Sequence, residues 1–204
     1  MASRHTWSIL TEADNMKNKP MLLVMAGPNG SGKSTLWNWF DSVGEYTNAD
    51  DIVSATGMDN LEAAKFVDKK RYAAIEARAD FSFETVLSSE YKMDIIREAK
   101  NADYFIKIIF VLTANPKINK SRVKARVASG GHNVDKAKIV ERYYKSIANI
   151  PELMQLADIM HIYDNSGRSA VRIVRKHKED ISVYPNEYWS AEQLINLIVI
   201  NETE

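Results

Sequence analysis

The chain has 204 residues, 45% of them hydrophobic and 26% charged, with 27 basic and 27 acidic side chains and a formal charge of zero. This mix suits a soluble globular domain and excludes collagen-like, mucin-like and wholly disordered chains, and the zero charge disfavours nucleic acid as a partner. No cysteine is present, which excludes disulfides, iron–sulfur clusters, thiolate zinc and a cysteine nucleophile and fits a cytoplasmic location.

In chain order, residues 1–20 read as a polar arm without the apolar centre of a secretory signal. Trp7, Ile9 and Leu10 are its candidate anchors. One domain is expected over 21–204. No run of about 18 apolar residues occurs, so no membrane span is expected. Met21–Ala26 (MLLVMA) is continuously apolar, as a parallel strand buried on both faces must be. A helix follows over Lys33–Phe40, then a short strand over Glu45–Asn48. Apolar residues at helical spacing (Leu61, Ala64, Phe66, Val67, Tyr72, Ile75) predict a helix over Leu61–Ala79. Phe81–Leu87 reads as a third strand. Ser89–Lys100 reads as a helix capped by Ser89. Tyr104–Leu112 (YFIKIIFVL) is the strongest strand. Pro116–Ser129 is a basic helix ended by Gly130 and Gly131. Asp135–Ala157 is helical, with a break at Pro151. Ile159–Tyr163 is a fifth strand and Val171–Val174 a sixth, at an edge. Ser190–Ile200 is a last helix capped by Ser190. This alternation predicts an α/β fold, a central parallel sheet wrapped by helices.

The sharpest motif is Gly27-Pro28-Asn29-Gly30-Ser31-Gly32-Lys33-Ser34, a full match to G-x-x-x-x-G-K-[ST] between a strand and a helix. Its glycines let successive amides turn inward around phosphate oxygens. The helix start adds its positive dipole end. Lys33 reaches the β- and γ-phosphates, Ser34 ligates Mg²⁺, and Thr35 completes the nucleotide-binding stretch. ATP with Mg²⁺ is the expected cofactor pair, on a three-layer P-loop NTPase or kinase fold.

Among P-loop classes, a transporter-type ATPase needs a strand ending in acids, but Tyr104–Leu112 runs into Thr113-Ala114-Asn115. A GTPase needs Asn-Lys-x-Asp, and Asn119-Lys120 lacks the aspartate. A kinase remains. It needs a carboxylate for the acceptor hydroxyl and cations over the migrating phosphoryl group. Asp50 and Asp51 follow the second strand, where open sheets gather ligands; a helix-cap role is the plainer alternative. Glu84, beside Thr85, interrupts the apolar pattern of Phe81–Leu87. Burying it unpaired is costly, so a polar partner or ligand is implied. Arg122 and Arg126 share a helix face. Arg126 and Arg142 are the candidate cations, and Lys117, Lys120 and Lys124 read as a solvated face. Residues 116–134 form a candidate helical lid hinged at Gly130-Gly131. His132 is a candidate substrate hydrogen-bonder. Tyr163-Asp164-Asn165-Ser166 bounds an adenine pocket, touches the phosphate loop, or is a plain turn.

GPNGSGKST, NADDI, FSFETVLSS, RVASGGHNV, ERYYKS and YDNS, in this order over Met21 to Ser166, resemble the zeta-toxin family, and more narrowly its short bacterial members. The resemblance implies a P-loop kinase that phosphorylates a hydroxyl of a sugar nucleotide such as UDP-N-acetylglucosamine. It implies Asp50 as catalytic base, Lys33 as phosphate-loop lysine, Glu84 as substrate-binding glutamate, and Arg126 and Arg142 as lid-region arginines. It also implies a small protein antitoxin as partner. The alternatives are a kinase acting on nucleic-acid ends and a nucleotide-dependent ATPase or switch working through a protein partner.

Overall fold

The computed structural model describes residues 19–130 and 135–199. Its strands are β1 (Met21–Ala26), β2 (Glu45–Thr47), β3 (Phe81–Thr85), β4 (Phe105–Leu112), β5 (Ile159–Asp164), β6 (Val171–His177) and β7 (Asp180–Val183). Its helices are α1 (Lys33–Trp37), α2 (Ala49–Thr56), α3 (Asn60–Glu76), α4 (Glu90–Asn101), α5 (Pro116–Ala128), α6 (Lys136–Ala148), α7 (Ile150–Leu156) and α8 (Ala191–Ile198). One sheet runs in the order β2-β3-β1-β4-β5-β6-β7. Its first five members pair in parallel, which places the apolar β1 at an interior position, as its composition requires.

Alternation along the central strands divides the core between two faces. Leu22, Val24 and Ala26 join Phe81, Phe83, Ile106, Ile108 and Phe110 under α4, α7 and α8, which contribute Ile96, Leu153 and Leu194. Leu23, Met25, Ile109 and Val111 face the other way, against Leu36 of α1. Tyr104 is buried at the strand entry and donates its hydroxyl proton to Ala74 O and Ala79 O, both at 2.8 Å. This is the α/β sheet with helices on both faces that the alternation predicts, parallel over its first five strands and mixed through β6 and β7.

The structure departs from the expected elements at five points. The sixth strand is not the edge: it runs to His177 and turns through Lys178 (φ 54°) into β7, which pairs antiparallel and forms the edge. The six residues between β5 and β6 are too few for a crossover, so β6 returns antiparallel. Helix α2 was not expected. Asn48 caps it by accepting from Asp50 N, and Gly57 closes it at φ 71°. The helix after the phosphate loop stops at Trp37 rather than Phe40; Trp37 packs on Tyr46 at 4.8 Å while Trp39 lies exposed. Ser89 occupies the N-cap position of α4 but makes no side-chain cap bond.

Pro151 does divide the long helix. It sits in the first turn of α7, where its missing N–H is harmless. Ser190 does cap α8, as half of a reciprocal capping box with Gln193.

Candidate active site

The loop Gly27–Ser34 leaves the carboxyl end of β1, in the middle of the parallel strands. Its shape depends on close approach. A Cβ on Gly27 would stand 2.0 Å from Val111 O, and one on Gly30 2.6 Å from Asn119 O. Only glycine fits at these two points, and both take positive φ. Lys33 opens α1 with its side chain buried, and its Nζ donates to Gly27 O at 2.7 Å and Pro28 O at 3.2 Å. Burial lowers its pKa; the charges of Glu84 and Asp50 oppose that shift and Arg126 adds to it. Lys33, Glu84, Asp50 and Arg126, from four separate elements, therefore share one electrostatic neighbourhood. Asn29 Oδ1 and Ser31 Oγ are buried there without a hydrogen-bond partner among the described residues.

Two asparagines brace the loop from outside. Asn119, fully buried on α5, donates Nδ2 to Asn29 O at 2.8 Å and accepts from Thr113 Oγ1. Asn165, after β5, donates Nδ2 to Ser31 O at 2.7 Å. Of the readings open for Tyr163–Ser166, contact with the loop is the one observed. Asp164 holds that turn: it is buried and accepts from Ser166 N and Oγ and from Asn186 Nδ2. Tyr143 donates to Thr113 O at 2.5 Å and so ties α6 to the end of β4. Sequence reasoning missed Asn119. Its signal was present, since a buried amide beside Val123 on an otherwise basic helix must satisfy something.

The carboxylates come from β3, which pairs with β1, and from α2, which follows β2 on the far side of β3. Glu84 pairs in register with Met25, which turns it onto the α1 face, away from Phe83. Both its oxygens lie 3.2 Å from Ser34 Oγ, which donates to them. Burial raises its pKa, countered by Lys33 and the Ser34 hydrogen bond. Asp50 is exposed in the first turn of α2, after β2. Asp51 beside it is pushed up by partial burial and by Asp50's charge. The cap is Asn48, so neither aspartate is spent on that task.

Arg71 fixes where this turn begins. It is buried, donates to Thr47 Oγ1 at 2.9 Å and Thr47 O at 3.1 Å, pairs with Asp68 at 2.9 Å, and lies 4.2 Å above the Phe83 ring. Lys92 closes the cluster on Asp68 at 2.7 Å. A lone arginine in a polar helix carries no sequence signal, so Arg71 was missed.

The other expected site residues are placed as follows. Arg126 is exposed on α5, the helix whose Asn119 and Val123 pack on the loop at Gly30. Arg122 Nη1 is buried without a partner among the described residues. Lys117, Lys120 and Lys124 are exposed. Arg142 is half-buried on α6, where its charge is felt at Glu141. Thr85 is buried, and its hydroxyl accepts from Leu87 N at 3.1 Å. His132 and Gly131 lie outside the described residues. Thr35 is exposed in the first turn of α1. The Ser34 hydroxyl and Glu84 carboxylate form a small, all-oxygen donor set at the loop, which suits Mg²⁺, a hard cation that also draws on phosphate oxygens.

The chain is similar to several known proteins. It is 31% identical over 135 residues to an uncharacterized protein of Haemophilus influenzae, covering 63% of this chain and 94% of that one. It is 25% identical over 114 residues to the maltose/maltodextrin import ATP-binding protein MalK of Photorhabdus laumondii, spanning 53% of this chain but 31% of MalK. Among solved structures, the AvrRxo1-ORF1:-ORF2 complex with ATP aligns at a TM-score of 0.67 and 15% identity, covering 97% of this chain and 70% of that one. The PezAT toxin–antitoxin system of Streptococcus pneumoniae aligns at 0.54 and 16% identity, covering 84% and 81%. These two likenesses are of fold. The family model for zeta toxins matches residues 46–186, a span that starts beyond the phosphate loop and makes loop and family match separate observations. On that match, the chain belongs to the zeta-toxin family.

Proposed function

We propose that this protein is an ATP-dependent kinase that transfers the γ-phosphoryl group to a hydroxyl of a small molecule, a sugar nucleotide such as UDP-N-acetylglucosamine, and acts as a toxin restrained by a small antitoxin protein. The observation that carries the reading is the Ser34–Glu84 hydrogen bond beside the buried Lys33, whose charge also feels Asp50 of α2 and Arg126 of α5. A phosphate loop alone serves many reactions. A phosphate loop with a carboxylate from β3 on its serine, and with an aspartate and an arginine whose charges reach its lysine, suits transfer to an alcohol. The end of β4, Leu112-Thr113-Ala114, carries no acid to polarise water, which favours transfer over hydrolysis.

In this mechanism the loop amides hold the triphosphate, and Lys33 offsets charge on the β- and γ-oxygens. Arg126, with Arg142 as its partner from α6, offsets charge on the migrating group. Ser34, with Glu84 beside it, would hold Mg²⁺, which would supply further charge neutralisation. Glu84 orients the Ser34 hydroxyl and, with Thr85 beside it, holds the acceptor; His132 is a further acceptor contact. Asp50 accepts the acceptor's proton as the new O–P bond forms and the bond to the β-phosphate oxygen breaks, releasing ADP. Incubating the chain with labelled ATP and a panel of sugar nucleotides, read by mass spectrometry, tests the proposal. A mass gain of one phosphate on a sugar nucleotide is expected. ATP consumption with no phosphorylated product would refute the kinase assignment.

A further inference from the structure

We infer that Asn149, at the junction of α6 and α7, is a positioning residue: its side-chain amide holds the turn after β3 in a strained conformation and so sets Glu84 and Thr85 for the phosphoryl acceptor. This rests on the kinase reading above and deepens it, because it names a group outside the reacting set that fixes where the acceptor sits.

The turn itself is the first argument. Leu87 takes φ 53°, in the left-handed region. There the Cβ of a leucine crowds the following carbonyl oxygen, and such a conformation persists only where the surroundings impose it. Three other non-glycine residues among those described take positive φ: Arg78 and Asp103 at the exits of α3 and α4, and Lys178 in the turn between β6 and β7. Left-handed residues ordinarily end helices and turn hairpins at such places. Leu87 ends no helix and turns no hairpin. It follows the strand that carries Glu84, at the carboxyl end of the parallel sheet, where ligands gather.

The anchors are the second. The Leu87 side chain is 0% exposed, in the same core as Ile150 and Leu153 of α7. Its N–H donates to Thr85 Oγ1 at 3.1 Å. Its carbonyl accepts from Asn149 Nδ2 at 3.0 Å, across 62 residues of chain. The backbone of Asn149 serves both neighbouring helices: its N–H donates to Ile147 O at the end of α6, and its carbonyl accepts from Leu153 N at 3.0 Å at the start of α7. An asparagine before a helix ordinarily caps it through its side chain. This one makes no cap bond to α7 and directs its amide at Leu87 instead.

The consequence is the third. Helix α6 carries Arg142 about two turns before Asn149, and Tyr143 ties the same helix to Thr113 O. The helix is thus fixed to the end of β4 through Tyr143 and to the turn after β3 through Asn149. The arginine assigned to the migrating phosphoryl group and the carboxylate assigned to its acceptor share one frame. Without the Asn149 bond, Leu87 relaxes toward negative φ and takes Thr85 and Glu84 with it. The phosphate loop, braced separately by Asn119 and Asn165, stays in place.

The test is steady-state transfer from ATP to UDP-N-acetylglucosamine by the full chain, with Mg²⁺-ATP affinity by titration calorimetry and melting temperature on the same preparations. Asn149→Asp, which keeps the shape and loses the donor, and Asn149→Ala are expected to raise the acceptor KM about tenfold, with ATP affinity within about twofold. Asn149→Gln, which keeps a donor, is expected to recover part of that loss. Ser190→Ala, which loses a cap at α8, is the comparison: its melting temperature is expected to fall with the acceptor KM unchanged. Asn149 variants that behave like Ser190→Ala, or that lose ATP affinity and acceptor KM together, would overturn the positioning role and leave the kinase reading standing. Absence of transfer by wild type would overturn both. A second measurement needs no variant: hydrogen exchange of wild type with and without UDP-N-acetylglucosamine. Joint protection of residues 86–89 and 147–150 supports the coupling, and absence of protection at 147–150 overturns it.

Discussion

Glu84 and Asp50 live in different surroundings, and that difference matches the separate tasks proposed for them. Glu84 is half-buried, with its pKa raised by burial and its oxygens engaged by Ser34, which suits a holding role. Asp50 is exposed at the start of a helix whose cap is supplied by Asn48, which leaves it free to take a proton. Asp50→Asn is therefore expected to lower kcat by about 10²- to 10⁴-fold while ATP affinity stays within about twofold; steady-state kinetics and calorimetry on one preparation check both halves. Away from the site, His161 is pushed down to about 4, first by burial and then by Arg172, Lys107, Arg175 and His177. It is neutral in the folded chain where the unfolded chain's histidine, with its ordinary value of 6.5, takes a proton. The unfolded state binds more protons in that window, so His161's contribution is present above pH 6.5 and lost as pH falls to about 4. In His161→Gln the melting temperature is expected to fall less steeply than in wild type between those limits, by thermal melts in matched buffers.

At the scale of elements, the cluster of Arg71, Asp68 and Lys92 links α3 and α4 to the end of β2, and through β2 to the first turn of α2. Asp68 balances two cations and is 2% exposed. Asp68→Ala leaves Arg71 as an uncompensated buried charge, which typically costs about 3–5 kcal/mol. Urea denaturation should show a loss of that order, and the residual activity should fall because Thr47, and with it Asp50, loses its anchor. At the other end of the chain, the Ser190–Gln193 box starts the helix that buries Leu194. Ser190→Ala is expected to cost about 1 kcal/mol in the same assay, with kinetics unchanged.

For the whole molecule, the sheet order separates two tasks around one loop. Strand β3 and the helix after β2 carry the carboxylates, while the helix after β4 and the turn after β5 carry the amides that brace the loop. If the protein is a toxin of this kind, induced expression in bacteria should arrest growth, and Asp50→Asn or Lys33→Ala should relieve the arrest at equal protein levels, as read by growth curves with immunoblots. Arrest of equal depth in all three would point to a cause other than phosphoryl transfer.

Much of this was legible from residues alone. Met21–Ala26 reads as an interior strand because six apolar residues in a row need cover on both faces. The phosphate loop reads from spacing because glycine, lysine and serine each answer a local requirement of an anion wrapped by backbone. Helix α2 was missed although Asn48 and Gly57 bracket it, because eight residues with two leading aspartates gave a weak apolar pattern, and β7 was hidden by being short and half-exposed. Sequence determined the local chemistry: a nucleotide loop, an ordered set of motifs, and the alternation that builds an α/β sheet. Tertiary structure alone decided which distant groups meet. Asn119 lies 90 residues from Asn29, Asn165 134 from Ser31, and Glu84 50 from Ser34, and each pair is joined by a hydrogen bond. Contacts of such separation come from strand order and register, which arise from packing the whole chain and leave no periodic trace in any one segment.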